Sequence, residues 1–277
     1  MTSTNKTWFI TGASRGFGRV WAQAALARGD RVAATARDLS TLDDLAAEHP
    51  GALQPLTLDV TDRAAAFAAV AAAHERFDRL DVVVNNAGYG LFGAVEEVSE
   101  EQARAQLDTN LLGPLWVTQA ALPILRAQGA GHLLQVSSIG GVAAFPLVGI
   151  YNASKWGLEG FSEALAGEVA PHGVKVTIVE PGPYATDWAG SSGVHATPID
   201  AYDTIREARA AGAAGRTAPD PAVTADAILA VVDADEPPLR LFLGDFPLPV
   251  AERAYADRLA TWQAWRTVSE RAGAPAA

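Results

Sequence analysis

Short, continuous apolar runs alternate with longer alanine-rich stretches along almost the whole chain, and this alternation narrows the possible folds more than any other feature. The runs fall at residues 7–11, 31–36, 53–59, 82–85, 132–137, 175–180 and 239–243. Most are apolar throughout, as strands of a parallel sheet covered on both faces must be. Helices are expected at 16–28, 62–77, 100–126, 151–170 and 222–233, with Gly29 and Gly173 placed where helices end. Alternating strands and helices predict a single α/β domain. It is a doubly wound, Rossmann-type parallel sheet of about seven strands, with helices on both faces and the ligand crevice at the strand C-termini.

No repeat or long linker divides residues 1–277. Residues 184–218, rich in small side chains after a predicted strand end, read either as a substrate flap or as a plain surface insertion. The extension at 245–277 carries Pro247, Pro249 and an amphipathic stretch at 252–269, expected to form a helix against the body or another subunit. The 21 basic and 32 acidic residues give a net charge of −11, which disfavours nucleic acid and anionic membrane surfaces as partners. The absence of cysteine removes disulfides, thiolate catalysis and cysteine-based zinc sites, and it fits a cytoplasmic location. The apolar run at 8–10 is too short for a secretory signal. The uncharged stretch 127–154 is broken by Gln128, Gln135, Ser137, Ser138, Pro146 and several glycines, so it reads as a strand and loop and not as a membrane span.

Thr11-Gly12-Ala13-Ser14-Arg15-Gly16-Phe17-Gly18 follows the first predicted strand and opens the first helix. Glycines there let the backbone approach a pyrophosphate, and a helix N-terminus offers N–H donors to it. Dinucleotide sites selective for NAD place a carboxylate near the end of the second strand, about 20 residues on. That position holds Ala36, followed by Arg37 and Asp38. Arg15 and Arg37 are therefore candidates to clamp a 2′-phosphate, or else two ordinary surface arginines. Asp59, with Val60 after it, ends the third strand and reads equally as an adenine contact or as a cap for the helix near Asp62. Asn85-Asn86-Ala87-Gly88 makes a turn after the fourth strand that would pass beside a cofactor.

Tyr151 and Lys155 stand four residues apart and so share one helix face. A tyrosine titrates near pH 10, and a neighbouring ammonium lowers that value. Ser138 ends the fifth predicted strand and would hold a substrate oxygen while Tyr151 exchanges the proton, with Ser137 as the competing hydroxyl.

In combination and in order, the glycine loop, Asn86-Ala87-Gly88, Asn110, Ser138, Tyr151/Lys155 and Pro181-Gly182 resemble the short-chain dehydrogenase/reductase family. The match is to its single-domain branch, over about residues 5 to 190, and to bacterial members similar to hydroxysteroid dehydrogenases. The resemblance implies a tetrad of Asn110, Ser138, Tyr151 and Lys155. In it Tyr151 is the acid/base, Ser138 orients the carbonyl, Lys155 also binds the nicotinamide ribose and Asn110 holds a relay water. It implies that Pro181, Gly182 and Thr186 meet the nicotinamide carboxamide, with Tyr184 an unusual residue beside them. It further implies a homo-oligomer, dimer or tetramer, built through the helices at 100–126 and 151–170.

The reading is an NADP(H)-dependent oxidoreductase that interconverts a small-molecule carbonyl and alcohol. The uncharged run 139–150, with Trp156 and Trp188, points to an uncharged apolar substrate, because an anion needs a positioned Arg or Lys. Phe145 joins these two as a candidate wall residue, core packing being the default for all three. The five histidines lack metal-ligand spacing, so no metal is expected; His172 suits a helix end and His195 a solvated loop. Two alternatives share the fold: epimerase or dehydratase chemistry, whose branch has a different glycine spacing, and a nucleotide-sensing regulator, which would lack the Tyr or Lys.

Overall fold

The computed structural model describes residues 5–213, 215 and 217–273; residues 214 and 216 of the expected flap, and 1–4 and 274–277 of the expected domain, lie outside the described residues. Seven strands form one parallel sheet: β1 (Thr7–Ile10), β2 (Arg31–Ala36), β3 (Leu53–Thr57), β4 (Val82–Asn85), β6 (Gly131–Val136), β7 (Val174–Pro181) and β9 (Arg240–Leu243). Their order is β3-β2-β1-β4-β6-β7-β9, so the winding reverses between β1 and β4. Two short strands, β5 (Leu91–Phe92) and β8 (Val194–His195), pair with each other apart from it. Pro55 sits in β3, an edge strand, where a missing backbone donor is tolerated.

Ten helices are described: α1 (Gly16–Ala27), α2 (Asp43–Glu48), α3 (Arg63–Phe77), α4 (Glu100–Leu107), α5 (Gly113–Gln128), α6 (Gly149–Val169), α7 (Asp203–Ala213), α8 (Ala225–Asp233), α9 (Pro247–Ala264) and α10 (Arg266–Ala272). The apolar strands are covered as their composition demands. Trp8 and Ile10 of β1 pack with Trp21 and Ala25 of α1 and Ile228 of α8 on one face. Phe9, on the alternate face, packs with Val70 of α3, Val117 and Leu125 of α5 and Leu165 of α6. Asp62, not Asp59, caps α3 by accepting from Ala65 N at 3.0 Å.

The helix expected at 100–126 is interrupted. A π-helical stretch, Asp108–Leu112, lies between α4 and α5. The widened turn has two identifiable partners. Asn110 is tied to the backbone of Tyr89, and Gly113 lies so close to Val60 that a Cβ there would stand 2.8 Å from Val60 Cγ2. Such bulges recur where a helix must aim one side chain.

Candidate active site

The loop from β1 to α1 is fastened to the end of β4 across the reversal point. Thr11 N donates to Val84 O at 3.0 Å, and Thr11 Oγ1 accepts from Asn86 N at 2.9 Å and Ala87 N at 3.0 Å. Asn86 Nδ2 returns bonds to Thr11 O (2.9 Å) and Gly12 O (3.1 Å). Two glycines are required by this close approach. Gly12 has φ +66° and a Cβ there would lie 2.9 Å from Ala87 Cα, while a Cβ on Gly18 would lie 2.5 Å from both Gly12 O and Asn86 Nδ2. The α1 N-terminus has no side-chain cap and no acidic residue in its first turn. Its first-turn N–H groups, from Gly16 and Phe17 onward, have no intrahelical partner, the arrangement that suits an anion. Phe17 is held by stacking on Trp21 and an edge contact with Tyr184, each at 5.2 Å, so the unusual Tyr184 is a packing partner of the loop.

At the far end of β2, Ala36 is buried and Arg37 exposed. The Asp38 carboxylate accepts from Ser40 N at 3.0 Å and Ser40 Oγ at 2.8 Å, bonds that hold its carboxyl below the usual range and fix it in its own turn. Asp59 likewise turns back on Thr61, accepting at 3.0 and 2.7 Å, and feels the charge of Arg37. Val60 is buried beside Gly113. The expected arginine clamp is not assembled in this conformation. Arg15 reaches instead to the segment after β7, 3.3 Å from Ser191 Oγ and 3.5 Å from Asp187 Oδ2.

The tetrad positions converge at the C-terminal edge of β4 and β6. Asn110 is fully buried; its Oδ1 accepts from Tyr89 N at 3.1 Å and its Nδ2 donates to Tyr89 O at 3.0 Å and Ser154 Oγ at 3.3 Å. Gly88 lies between Asn110 and Lys155, for a Cβ there would be 3.0 Å from Asn110 Oδ1 and 3.7 Å from Lys155 Nζ. Lys155 Nζ donates to Val136 O at 2.8 Å and stands 5.9 Å from the Tyr151 ring centre. Ser138 Oγ accepts from Gly140 N at 3.0 Å, and Ser138 and Tyr151 meet over Gly140, where a Cβ would lie 3.5 Å from Ser138 Oγ and 3.2 Å from Tyr151 Cε1. The Ser137 side chain instead lies against Gly141, where a Cβ would stand 2.5 Å from its Oγ. Burial pushes the Tyr151 phenol up to about 12, opposed by the neighbouring polar groups of Ser138 and Trp188, and not down as its spacing from Lys155 predicts. Burial pushes the Lys155 ammonium down to about 8, opposed by the charge of Glu159. Tyr151 is thus a protonated phenol at neutral pH.

Pro181 ends β7, and Gly182 N donates to Leu243 O at 3.1 Å. Thr186 approaches the glycine loop, with its Cγ2 3.7 Å from where a Gly16 Cβ would be, and caps a turn leading to Trp188. A cleft of about 420 Å³ opens between Gly16 and Val20 of α1 and Thr186 and Asp187. Trp188 packs its ring on Tyr151 (centres 5.0 Å apart) and on Phe92 (4.9 Å), and His195 stacks on Phe92 at 4.8 Å. Of the three aromatic wall candidates only Trp188 is brought to Tyr151. Trp156 is 41% exposed under Arg258, and Phe145 packs near Ile139, Val142 and Ala251. Phe92 carries no distinct sequence signal, being one of two aromatics, with Tyr89, that follow the Asn-Asn-Ala-Gly turn. Among the described residues no group of three metal-ligating side chains occurs, and no helix is long and apolar enough to cross a membrane.

Residues 6–195 match the short chain dehydrogenase family. Oxidoreductase BOA17 of Botryotinia fuckeliana (strain B05.10) is 42% identical over 268 residues, which cover 95% of this chain and 98% of that protein. A short-chain dehydrogenase from Streptomyces avermitilis has a solved structure similar at TM-score 0.91 and 38% identity, covering 98% of this chain and 100% of that one. A short chain dehydrogenase from Burkholderia cenocepacia J2315, solved in complex with NADP, gives TM-score 0.76 and 26% identity over 95% of this chain and 98% of its own. The chain belongs to the short-chain dehydrogenase/reductase family and is an oxidoreductase.

Proposed function

We propose that this protein is an NADP(H)-dependent oxidoreductase that interconverts an uncharged, apolar carbonyl compound and its alcohol, with Tyr151 as general acid/base. The observation that carries the reading is the meeting of Ser138 and Tyr151 over Gly140 with Lys155 buried beside them, at the strand ends beside the glycine loop. The close-approach positions Gly12 and Gly18 and the uncapped α1 N-terminus fit a dinucleotide pyrophosphate. Ser14, Arg15, Gly16 and Phe17 would hold the phosphates, Arg37 the 2′-phosphate, and Asp59 and Val60 the adenine. Asn86, Ala87 and Gly88 would flank the ribose with Tyr151 and Lys155, and Pro181, Gly182 and Thr186 would meet the carboxamide. When bound, the reduced nicotinamide supplies the hydride that adds to the carbonyl carbon.

In the reduction, Ser138 orients the carbonyl oxygen and Tyr151 donates the proton that oxygen needs as the hydride arrives. Lys155 stabilises the phenolate left behind and so sets the ease of the transfer. Asn110, locked by Tyr89 and Ser154, holds the relay water that returns a proton. Trp188 and Phe92 give the substrate side apolar walls. Arg209 lies 5.8 Å over the Phe92 ring and its guanidinium donates to Pro146 O at 2.9 Å, an engaged cation instead of a carboxylate anchor. The segment 184–218 acts as the flap. The cysteine-free composition fits the cytoplasm, and the exposed Leu259, Trp262 and Trp265 on the C-terminal helices fit a homo-oligomer.

The test is a panel of uncharged aldehydes, cyclic ketones and steroid-like ketones beside keto acids, each followed by consumption of NADPH and, separately, of NADH. Turnover of the uncharged members supports the reading. Marked preference for a keto acid would overturn the apolar substrate class, and turnover with NADH alone would overturn the cofactor.

A further inference from the structure

One turn beyond Lys155 on α6 lies a second group of charges that the reaction as described does not use. Glu159 is 5% exposed and Glu180, near the end of β7, is fully buried. Arg240 of β9 joins them: its Nη1 donates both to Glu159 Oε2 and, at 2.9 Å, to Glu180 Oε1, and its Nη2 donates to Glu163 Oε2 at 2.7 Å. One guanidinium nitrogen thus draws two buried carboxyls together. Each keeps one buried oxygen, Glu159 Oε1 and Glu180 Oε2, that no protein donor reaches. Two such oxygens on adjacent carboxyls are costly when both groups are ionised, because like charges in a low-dielectric interior repel and each lacks a donor. One shared proton removes the repulsion between the two carboxyls that Arg240 draws together, giving one a donor and the other an acceptor. On the other side Glu159 Oε1 and the unpartnered Ser137 Oγ crowd Gly141, where a Cβ would lie 2.9 and 2.5 Å from them. The buried groups therefore run from Lys155 through Glu159 to Glu180.

We propose that Glu159 and Glu180 share one proton behind Lys155, Glu159 supplying the negative charge that keeps Lys155 an ammonium and Glu180 carrying the proton. Both are positioning residues acting through Lys155, and the catalytic meaning of the pair rests on the role given to Lys155 above. The electrostatics agree. Burial and the charge of Glu159 push Glu180 up to about 8, and Glu159 opposes the burial that lowers Lys155. The other ionisable groups facing the pair are Glu163 on α6, Arg240 on β9, and Glu252 and Tyr255 of α9, which line a cleft of about 340 Å³ with Glu180 and Arg240. Glu163 is largely exposed, so water screens it from Lys155.

The sequence makes the test direct, for the chain has only three lysines, Lys6, Lys155 and Lys175. In cofactor-free protein labelled at lysine Cε, the Lys155 resonance is assigned with Lys6→Arg and Lys175→Arg and titrated by NMR. Glu159→Gln should lower the Lys155 midpoint by about one pH unit or more. Glu180→Gln, which mimics the protonated carboxyl, and Glu163→Gln should move it far less. An unmoved midpoint in folded Glu159→Gln, or an equal displacement in Glu180→Gln, overturns the assignment. A purely structural role would lower the melting temperature of both variants and leave the midpoint in place. Should Glu159→Gln not fold, the unmodified protein still decides. A protonated-carboxyl infrared band at neutral pH, lost in Glu180→Gln and kept in Glu163→Gln, supports the shared proton, and its absence refutes it. Neither readout involves turnover, so failure here leaves the proposed reaction standing, and an inactive substrate panel leaves the proton pair standing.

Discussion

In the proposed reading, Ala36 and Arg37 carry the choice between the two nicotinamide dinucleotides, and Asp38 is the residue that would reverse it. Its carboxylate is bound to Ser40 N and Oγ, so it is spent on its own turn and does not reach toward the β2 crevice. A 2′-phosphate avoids carboxylates and gains charge-assisted bonds to Arg37, each worth about 1.5–3 kcal/mol. Ala36→Asp with Arg37→Ala should therefore shift the NADPH-to-NADH ratio of dissociation constants toward NADH by about tenfold or more, as read by cofactor fluorescence. An unchanged ratio would remove Arg37 from the phosphate site. Ser138→Ala should lower kcat by about 10²-fold or more with cofactor affinity intact, since an orienting hydrogen bond to the reacting oxygen is lost. At this scale much was legible. That Tyr151, Lys155 and Ser138 come together was legible from the order of the motifs as a set, because a helix face and a strand end are local geometry. The partners of Asp38, Asp59 and Arg15 were not legible, because side-chain rotamers depend on turns and on a flap distant in sequence.

The elements follow from periodicity, and where they depart from it a tertiary contact is responsible. The seven main strands were readable as apolar runs because a sheet buried on both faces admits little else. The π-helical stretch at Asp108–Leu112 was not, since the Tyr89 backbone that holds Asn110 lies 21 residues away. β5 and β8 are two residues each and carry no pattern at all. The glycine loop gives a prediction at this scale. Gly12→Ala places a Cβ 2.9 Å from Ala87 Cα at positive φ, so the loop and the β4 turn must part. Cofactor affinity should fall by more than tenfold in a protein that still melts cooperatively. The flap gives another. Trp188 covers Tyr151, so Trp188→Ala should open the substrate side, raising KM for an apolar substrate severalfold with NADPH affinity little changed. A KM that stays put would take Trp188 out of the substrate wall.

For the molecule as a whole, the buried polar groups in the sheet tie stability to pH. His132 in β6 is 4% exposed, bonded through Nε2 to Thr177 Oγ1 at 2.9 Å, and burial, helped by the charges of Lys175 and Lys6, pushes it down to about 4 from an ordinary 6.5. Between those values the unfolded chain binds a proton that the folded chain refuses. The stability due to neutral His132 is therefore complete above about pH 6.5 and is lost progressively as pH falls toward 4, by about 3 kcal/mol in all. Denaturant titrations of wild type and His132→Gln should converge as pH falls through that window, and parallel curves would show that His132 does not carry it. The parallel sheet and its reversal point brought the glycine loop, Asn86–Gly88 and the tetrad to one edge, as the α/β pattern foretold. The acid pair behind Lys155 was hidden, although Glu159 stands four residues after Lys155 and Glu180 interrupts an apolar run, because only the docking of β9 supplies Arg240. The central claim is that Tyr151 hands the proton to the substrate oxygen. It is tested most directly by Tyr151→Phe, measured for NADPH affinity and for kcat on the best uncharged carbonyl of the panel. The account predicts unchanged NADPH binding with kcat reduced by about 10²-fold or more, whereas near-normal kcat in the folded variant would contradict it.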